Sequence, residues 1–396
     1  MRNIPQKSLC LLVLCMVHAQ YTAAQDNLSQ GSSQDGPFKA TASVQGVWDS
    51  NFSRSPLNDS EQTILSSAGL SFDDTFGRQR LIAKWRGNQY QYDVHPDFDG
   101  TTHSSQLAWK GLIGSQFNTE VEWLRDSDLV DRLEFFGKDI VSRNDLQAKL
   151  GYGNDRKLSF HVGGRKTNQT HSNDTRTSLN FDEEEAFADA GYKTSNKSSV
   201  FIRVRSGSRT YVNNPPSDTA LGDTPPGSLD FDSDQVELEG VWAVSPKTNI
   251  SAVVASFKRD GVVNDASGSL ATLSADWQAT EKIKFNAGYT LRQPAVGETS
   301  DSPSQIQNIF ASVAWQYSAK ITVGSMARYS EIDYKSLSPE LMRTERLTVL
   351  SPLTFSYSSG RHWLIRVDSG WRKNESPLAY RNYISRQVSL GLFFTY

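Results

Sequence analysis

The feature that most limits the fold of this chain is a two-residue alternation of apolar and polar side chains, which runs from Phe38 to the C-terminus. Between Val236 and Val244 apolar residues and a glycine occupy every second position, and Glu237 and Glu239 stand among the residues between them. Successive side chains of a β-strand point to opposite faces of the sheet, so this period is typical of strands. The pattern predicts an all-β chain of about 18 strands, with helical stretches nearly absent.

The connectors between these strands alternate between short and long along the chain. The short ones are residues 114–116, 153–157, 245–248, 280–282, 318–320 and 358–361. The long polar ones are residues 93–102, 126–143, 165–180, 207–234, 292–305, 330–345 and 372–382. Short links at one end and long loops at the other predict an up-and-down antiparallel meander, and transmembrane β-barrels have this asymmetry.

The composition of the apolar parity favours a surface that faces lipid. Besides Val, Ile and Leu it contains many Ala, Gly, Tyr and Trp residues, and aromatic residues often lie towards the strand ends, as in the girdles of outer-membrane barrels. Spanning by helices is excluded, because the mean hydropathy is −0.51 and the longest apolar run, Leu9 to Val17, is far shorter than the roughly 20 residues a helix needs. We therefore expect a transmembrane β-barrel.

The opposite parity is polar, and in a barrel it would line a water-filled lumen, where charged groups can be solvated or paired. The charged residues that we expect to line this lumen are Arg80, Lys84, Arg86, Arg203, Arg205, Glu237, Glu239, Arg328 and Arg366.

The last residues of the chain carry the most specific local pattern. Apolar and aromatic side chains alternate to the end of the chain at Val388, Leu390, Leu392, Phe394 and Tyr396. This pattern resembles the terminal strand that the barrel-assembly machinery reads in bacterial outer-membrane proteins. An open strand edge in lipid would leave unpaired backbone groups that cost several kcal/mol each, so this strand must close on the first one, which we expect at residues 38–52.

The first 24 residues have the three parts of a secretory signal: basic Arg2 and Lys7, an apolar stretch, and small residues that end at Ala24. Both cysteines, Cys10 and Cys15, lie in this segment, so the exported chain would be free of cysteine and mildly acidic. That balance argues against nucleic acid as a partner, which needs clustered Lys and Arg. The predicted organisation is a signal peptide at 1–24, a periplasmic segment at 25–37 and an outer-membrane barrel at 38–396.

Catalytic and metal-binding patterns are weak, and the chain is not expected to be an enzyme or to hold a cofactor. His171-Ser172-Asn173 contains the residue types of outer-membrane phospholipases, but neighbours in a strand point to opposite sides, whereas a catalytic trio must converge. The acidic segments 93–99 and 230–234 offer oxygen ligands for calcium, yet neither has the spacing of an EF-hand. No metal site is expected.

Two further features have two interpretations each. Pro215-Pro216 and Pro225-Pro226 stand in the long connector 207–234, which cannot continue a strand and would either fold into the pore or remain outside it. Tyr90, Tyr92 and the tryptophans would either stack on sugar rings or form a girdle at the lipid headgroups.

Three segments in the first third of the chain resemble the EpsL-type outer-membrane proteins encoded with exosortase-associated exopolysaccharide clusters. They are Trp48 to Pro56, Phe76 to Leu81, and Tyr90 to Asp93 leading to Leu107-Ala108-Trp109, and Trp48 stands where the family is expected to have Tyr. The resemblance implies an outer-membrane conduit for a secreted polysaccharide, with periplasmic export proteins as partners. It implies no catalytic residues.

The sequence therefore predicts a barrel in the bacterial outer membrane, with lipid and the assembly machinery as partners, whose lumen passes a hydrophilic polymer or small solutes. The alternatives are a general porin and a closed structural or adhesion barrel that acts through its long loops. A barrel hydrolase is a further, weaker alternative.

Overall fold

The computed structural model describes residues 36–153, 156–213, 227–300, 302–335 and 342–396. Within these ranges the chain forms an 18-stranded antiparallel sheet in which each strand pairs with the next, and β1 also pairs with β18. The strands are β1 Phe38–Asp49, β2 Glu61–Phe76, β3 Gln79–Tyr92, β4 Gly100–Ile113, β5 Phe117–Leu129, β6 Ile140–Tyr152, β7 Leu158–His171, β8 Phe181–Lys193, β9 Ser199–Tyr211, β10 Phe231–Ser245, β11 Thr248–Gly261, β12 Ala266–Gln278, β13 Ile283–Arg292, β14 Ser304–Gln316, β15 Ile321–Tyr334, β16 Arg343–Ser359, β17 Trp363–Glu375 and β18 Tyr383–Thr395. The prediction of a closed up-and-down β-barrel is confirmed.

The first strand closes the ring, but it is shorter than expected. β1 ends at Asp49, whereas the sequence predicted a strand to residue 52. Val44 lies opposite Leu392 and Trp48 opposite Val388, so the terminal strand pairs with the first one as expected. Phe52 lies in the β1–β2 loop and is buried, because it belongs to an aromatic cluster at that end of the barrel.

The strand register keeps one parity of side chains on the outside all the way around the barrel. Val44, Leu392, Ile365 and Tyr357 follow one another across three neighbouring pairings, and residues of this parity are mainly apolar. Large apolar side chains on this parity are exposed, for example Leu238, which is 48% exposed. β16 bulges between Leu350 and Leu353, where a proline cannot donate a hydrogen bond to the ladder.

All nine tryptophans of the chain lie on the outward parity, and aromatic pairs cluster where strands meet the short turns. The pairs at this end of the barrel are Phe117–Tyr152, Trp277–Phe285, Trp315–Tyr317 and Trp363–Phe394, with ring centroids 4.8–5.3 Å apart. An aromatic belt at one rim of an apolar band is typical of a barrel whose edge lies at the headgroup level.

The connectors separate into two ends of the barrel. The turn end carries the short links, at residues 77–78, 114–116, 153–157, 194–198, 246–247, 279–282, 317–320 and 360–362. The loop end carries the longer ones, and three of them contain short 3-10 helices at Pro96–Phe98, Asp174–Leu179 and Ala379–Arg381. The expected alternation of short and long connectors is thus present, with one loop, residues 262–265, shorter than its neighbours.

Several sequence predictions fall outside the described residues. These are the signal peptide at 1–24, most of the periplasmic segment at 25–37, and the two proline pairs at 215–216 and 225–226. Among the described residues, no helix has the length and apolar character to cross a bilayer.

Candidate functional site

The inward parity of one half of the barrel carries a belt of alternating charges that links neighbouring strands. On β9, Arg203 bridges Asp189 of β8 at 3.2 Å and Glu237 of β10 at 2.9 Å. Lys149 of β6 pairs with Glu120 of β5 at 3.1 Å. The other ion pairs of the belt are His161–Asp189, Arg165–Asp145, Arg143–Asp145, Lys110–Glu120, Arg205–Glu185, Arg205–Glu237 and Arg209–Glu183. Pairing in this way satisfies charges that burial would otherwise penalise.

The nine charged residues expected in the lumen all lie on the inward parity, where the structure gives them different surroundings. Arg203, Arg205, Glu237 and Glu239 lie close together in the belt, with Glu239 3.9 Å from Arg203. Arg80 and Arg366 pair with acidic residues of their own neighbourhood, Asp73 at 2.5 Å and Asp368 at 2.9 Å. Lys84 is exposed, and Arg86, which is half-buried, lies on the same strand. Arg328 lies on β15 and has no hydrogen-bond or ion-pair partner in the described ranges.

The opposite half of the wall has a different chemistry. From β11 to β15 the inward side chains are mostly small, hydroxyl or amide groups, and they contact one another by hydrogen bonds. Ser251 and Ser274 are 2.6 Å apart, Asn308 donates to Thr290 at 3.0 Å, and Asn286 donates to the Asp276 carboxylate at 2.7 Å. The lumen therefore has an ion-paired wall and a hydroxyl wall.

The β5–β6 loop, residues 130–139, reaches across the loop end of the barrel to the far wall. Asp131 accepts a hydrogen bond from Arg372 of β17 at 2.7 Å, and Glu134 accepts one from the Tyr334 hydroxyl of β15 at 2.8 Å. The Leu133 carbonyl accepts a hydrogen bond from Arg381 at 2.7 Å. In an 18-stranded ring β6 and β15 lie nine strands apart, so this loop spans the lumen.

A guanidinium in an aromatic cage holds the near end of the same loop. The Arg132 guanidinium carbon lies 3.4 Å from the centre of the Phe52 ring, 5.4 Å from Tyr92 and 5.3 Å from Phe98. The three rings pack against one another at centroid distances of 5.2–6.2 Å. Cation–π contacts are strong when desolvated, so this cage is a principal anchor of the β5–β6 loop.

The loop also contains a carboxyl group that titrates near neutral pH. Burial raises the pKa of Glu134 to about 7, although the guanidinium of Arg381, 3.7 Å away, acts in the opposite direction. Burial would likewise raise the pKa of Asp131, but Arg372 outweighs this effect and holds that pKa well below its usual range. One acid of the loop therefore changes charge around neutrality, while its neighbour stays ionised.

A second loop, β13–β14 at residues 293–303, closes over the charged half of the barrel. The Val296 carbonyl accepts a hydrogen bond from the Tyr211 hydroxyl at 2.5 Å, and Gln169 donates to the Gly297 carbonyl at 2.9 Å. Burial raises the pKa of Glu298, but Arg209 and Arg259 outweigh it and lower that pKa to about 2. Val296 is fully buried in an apolar cluster with Leu179, Phe181, Tyr211, Leu229, Phe231, Val263 and Ala295.

The residues considered for catalysis contact a carboxylate instead of one another. His171 Nδ1 lies 2.7 Å from Asp139, and the backbone amides of Ser172 and Asn173 donate to the same carboxylate at 3.0 and 3.1 Å. Arg176 also pairs with Asp139, at 2.9 Å. These contacts join the β7–β8 loop to the β5–β6 loop and form no catalytic trio.

The acidic segment 93–99 serves the backbone of its own loop. The Asp99 carboxylate accepts the Tyr92 amide at 2.7 Å, and Glu61 accepts the amides of Asp93 and Val94 at 2.8 and 3.1 Å. Within the described parts of the chain, no group of three or more His, Cys, Asp or Glu side chains could hold a metal ion.

The two interpretations of the aromatic residues divide between residue types. The tryptophans face outward, which fits a girdle. Tyr90 and Tyr92 face inward and are buried, at 5% and 9% exposure, within the cluster that surrounds Arg132. They are thus part of the packing that anchors a loop.

The crossing loops are the main feature that the sequence reasoning missed. Their signal was the presence of apolar side chains inside long polar connectors, namely Leu133 in the β5–β6 loop and Ala295-Val296 in the β13–β14 loop. Apolar groups in a loop that lies free in water bury no surface, so such residues indicate packing against another part of the chain.

No family model matches the chain, and no curated protein matches it. Solved structures similar to it include OpdK from Pseudomonas aeruginosa with vanillate, at 9% identity and a TM-score of 0.49, covering 91% of this chain and 98% of that one. OccAB3 from Acinetobacter baumannii has 10% identity and a TM-score of 0.49, covering 91% and 99%. The siderophore receptor PirA from Pseudomonas aeruginosa has 9% identity and a TM-score of 0.45, covering 92% and 81%.

Proposed function

We propose that this chain is a channel of the bacterial outer membrane with a hydrophilic lumen that two loops gate. The observation that carries the proposal is the division of the barrel wall into an exposed apolar face with an aromatic belt and an inward face of charged, hydroxyl and amide groups. An apolar band of this kind suits lipid, and an 18-stranded barrel is wide enough for an aqueous passage.

We further propose that the solute is a secreted polysaccharide. The resemblance to EpsL-type proteins supports this choice, and so does the hydroxyl wall between β11 and β15, whose Ser, Thr and Asn side chains can exchange hydrogen bonds with sugar hydroxyls. Transport needs exit as well as entry, and a wall of many weak hydrogen bonds provides contact without a deep binding well.

The second candidate is a closed barrel that serves as a surface structural or adhesion protein. The observation that favours it is the packing of both crossing loops, since the Arg132 cage and the Asp131–Arg372 pair tie the β5–β6 loop to opposite sides of the mouth. In this case the barrel would remain closed and the loops would present the binding surface.

Conductance in a planar bilayer separates the two candidates. We expect intermittent channel activity from the purified chain, and larger, steadier conductance when residues 131–138 are replaced by a Gly-Ser linker of equal length. Arg346→Ala at the same end of the barrel, an exposed residue outside both loops, is the matched control and should leave conductance unchanged.

Absence of conductance in both the native chain and the linker variant, with folding verified by heat-modifiable mobility, would refute the channel and leave the closed barrel. The polysaccharide proposal has its own test. A strain that lacks the protein and still secretes a normal amount of its exopolysaccharide would eliminate the export role.

A further inference from the structure

The turn end of the barrel carries an excess of positive charge. Its described turns contain an exposed cation in nearly every link, and Glu281 is the acid among them. The exposed basic residues of these turns are Arg78, Arg156, Lys157, Lys197, Lys247, Lys282, Lys320 and Arg361. Neighbouring turns are separated by two strands, which places these charges on the order of 10 Å apart. This spacing is close to the Debye length at physiological salt, so their potentials overlap into a continuous ring.

The loop end has the opposite balance. Its described loops contain more acids than bases, and several of the bases are committed to the anchors of the crossing loops. The acids are Asp59, Asp93, Asp97, Asp99, Asp131, Glu134, Asp139, Asp174, Asp230, Asp265 and Glu298, and the bases are Arg54, Arg132, Lys138, Arg176, Lys335 and Arg381. The barrel is therefore polarised along its axis, with the positive end at the short turns.

The basic ring continues into the lumen. Lys84, Lys193 and Lys284 lie on the inward parity of their strands in the turn-side half of the barrel, and all three are exposed. Lys110 and Lys149 share one acid, Glu120, so this group leaves one further positive charge in the same half. The excess of positive charge therefore extends from the turns into the barrel, and we call the ring and these lumen lysines the basic funnel.

We propose that this basic funnel captures an anionic polymer, an acidic polysaccharide with carboxylate groups along its chain, and draws it into the barrel from the turn end. The inference rests on the proposed channel function and adds the charge class of the substrate and its direction of entry. A mouth lined by one sign of charge raises the local concentration of oppositely charged solutes and their association rate. A polymer that meets several lysines at once also gains from multivalency.

The form of the surface favours a polymer chain over a docked protein. Protein interfaces have an apolar core surrounded by a polar rim. Here the described turns present mainly Lys, Arg, Ser, Thr and Gly, with Tyr317 and His362 as their ring side chains, and the other aromatic residues at this end stand on the outer face of the strands. An extended anionic chain can follow the charges from the ring into the lumen, which the surface of a folded protein cannot do.

The test uses the full chain in nanodiscs of zwitterionic lipid, so that lipid charge does not contribute. The test variant reverses four turn charges, by Lys157→Glu, Lys247→Glu, Lys282→Glu and Lys320→Glu. The matched control reverses four charges near the loop end, three exposed and one half-buried at Lys373, by Lys258→Glu, Lys335→Glu, Arg346→Glu and Lys373→Glu, and has the same net charge. Binding of polygalacturonate, with neutral dextran beside it, is measured at low and high salt.

We expect the native chain and the control variant to bind polygalacturonate and not dextran, with affinity that falls as salt rises. The turn variant should bind at least about tenfold more weakly, the lower end of the range for charge steering. Equal binding by the turn variant and the native chain would overturn the proposal, and so would an equal loss in the control variant or equal binding of dextran.

Ionic conductance of the same samples is measured in parallel, in the linker variant as well. Normal conductance with no polymer binding would refute the basic funnel and leave the channel function supported. Polymer binding at the turns without conductance in any sample would refute the channel function but not the binding of polymer by the basic ring. Blockade of the open channel by polygalacturonate added to each side in turn tests direction, and equal blockade rates from both sides would refute entry from the turn end.

Discussion

Removing the Arg132 side chain should release the β5–β6 loop from its aromatic cage and open the barrel more often. The guanidinium stacks on Phe52 at 3.4 Å and has Tyr92 and Phe98 within 5.4 Å; the residue is half-buried, and its Nε is shielded from water. A desolvated cation–π contact contributes about 2 kcal/mol. Since 1.4 kcal/mol is a factor of ten, Arg132→Ala should raise the ratio of open to closed loop about 30-fold.

Single-channel recording gives this ratio directly, as the time spent in the open and closed levels. Arg132→Lys is an informative partner variant, because it keeps the charge but loses the planar group that stacks on Phe52, and it should give an intermediate ratio. Arg346→Ala removes an exposed arginine at the same mouth, where its pair with Glu331 at 3.4 Å is solvated, and should have no effect.

The cage would not be the anchor of the loop if Arg132→Ala left the ratio within twofold of the native value while replacement of residues 131–138 changed it. The loop would then be held by its far contacts alone, at Arg372, Tyr334 and Arg381. Equal changes in Arg132→Ala and Arg346→Ala would point instead to a general effect of charge at the mouth.

Two further predictions concern pH and the two faces of the wall. The pKa of Glu134 is raised to about 7 in the packed loop, so the packed loop keeps a proton that the released loop loses above about pH 4.5. The packed state should therefore become less stable by on the order of 2 to 3 kcal/mol as pH rises from about 5 to 7. The fraction of time that the channel is open should rise over the same pH range. Glu134→Gln should flatten this pH profile, and an unchanged profile would assign the titration to another group. On the outward parity, Ala311→Arg should cost roughly 2 to 4 kcal/mol of unfolding free energy near the midplane of the bilayer, whereas Arg328→Ala on the inward parity should change ion selectivity more than stability. Equal losses of stability in the two variants, measured by urea denaturation in lipid, would mean that the faces are reversed.

The strand architecture could be predicted from the sequence because it depends on local patterns. The segment from Val236 to Val244 shows its two faces without any knowledge of its neighbours, and β10 carries the expected acids, Glu237 and Glu239, on the inward parity. Closure also follows from a general requirement, since unpaired strand edges are too costly in lipid.

The loop paths depend on contacts between residues distant in the chain, and no local pattern specifies them. Arg132 meets Phe52 and Tyr92 only because β1, β3 and β5 end at the same rim of the barrel. The sequence predicted that β1 continues to Phe52, because an aromatic residue is as common in a strand as in a packed aromatic cluster. The partners of Arg203 likewise depend on the register between β8, β9 and β10, which a two-residue period leaves open.

The unequal halves of the barrel wall have a mechanical consequence. From β4 to β10 the ionic belt cross-links adjacent strands through their side chains as well as through the backbone ladder, whereas from β11 to β15 the shorter hydroxyl and amide groups add weaker ties. A bulky segment that strains the passage would therefore push the compliant side outward first. To widen the lumen for larger solutes, smaller side chains are best introduced in this half of the wall, for example at Asn308 and Thr290.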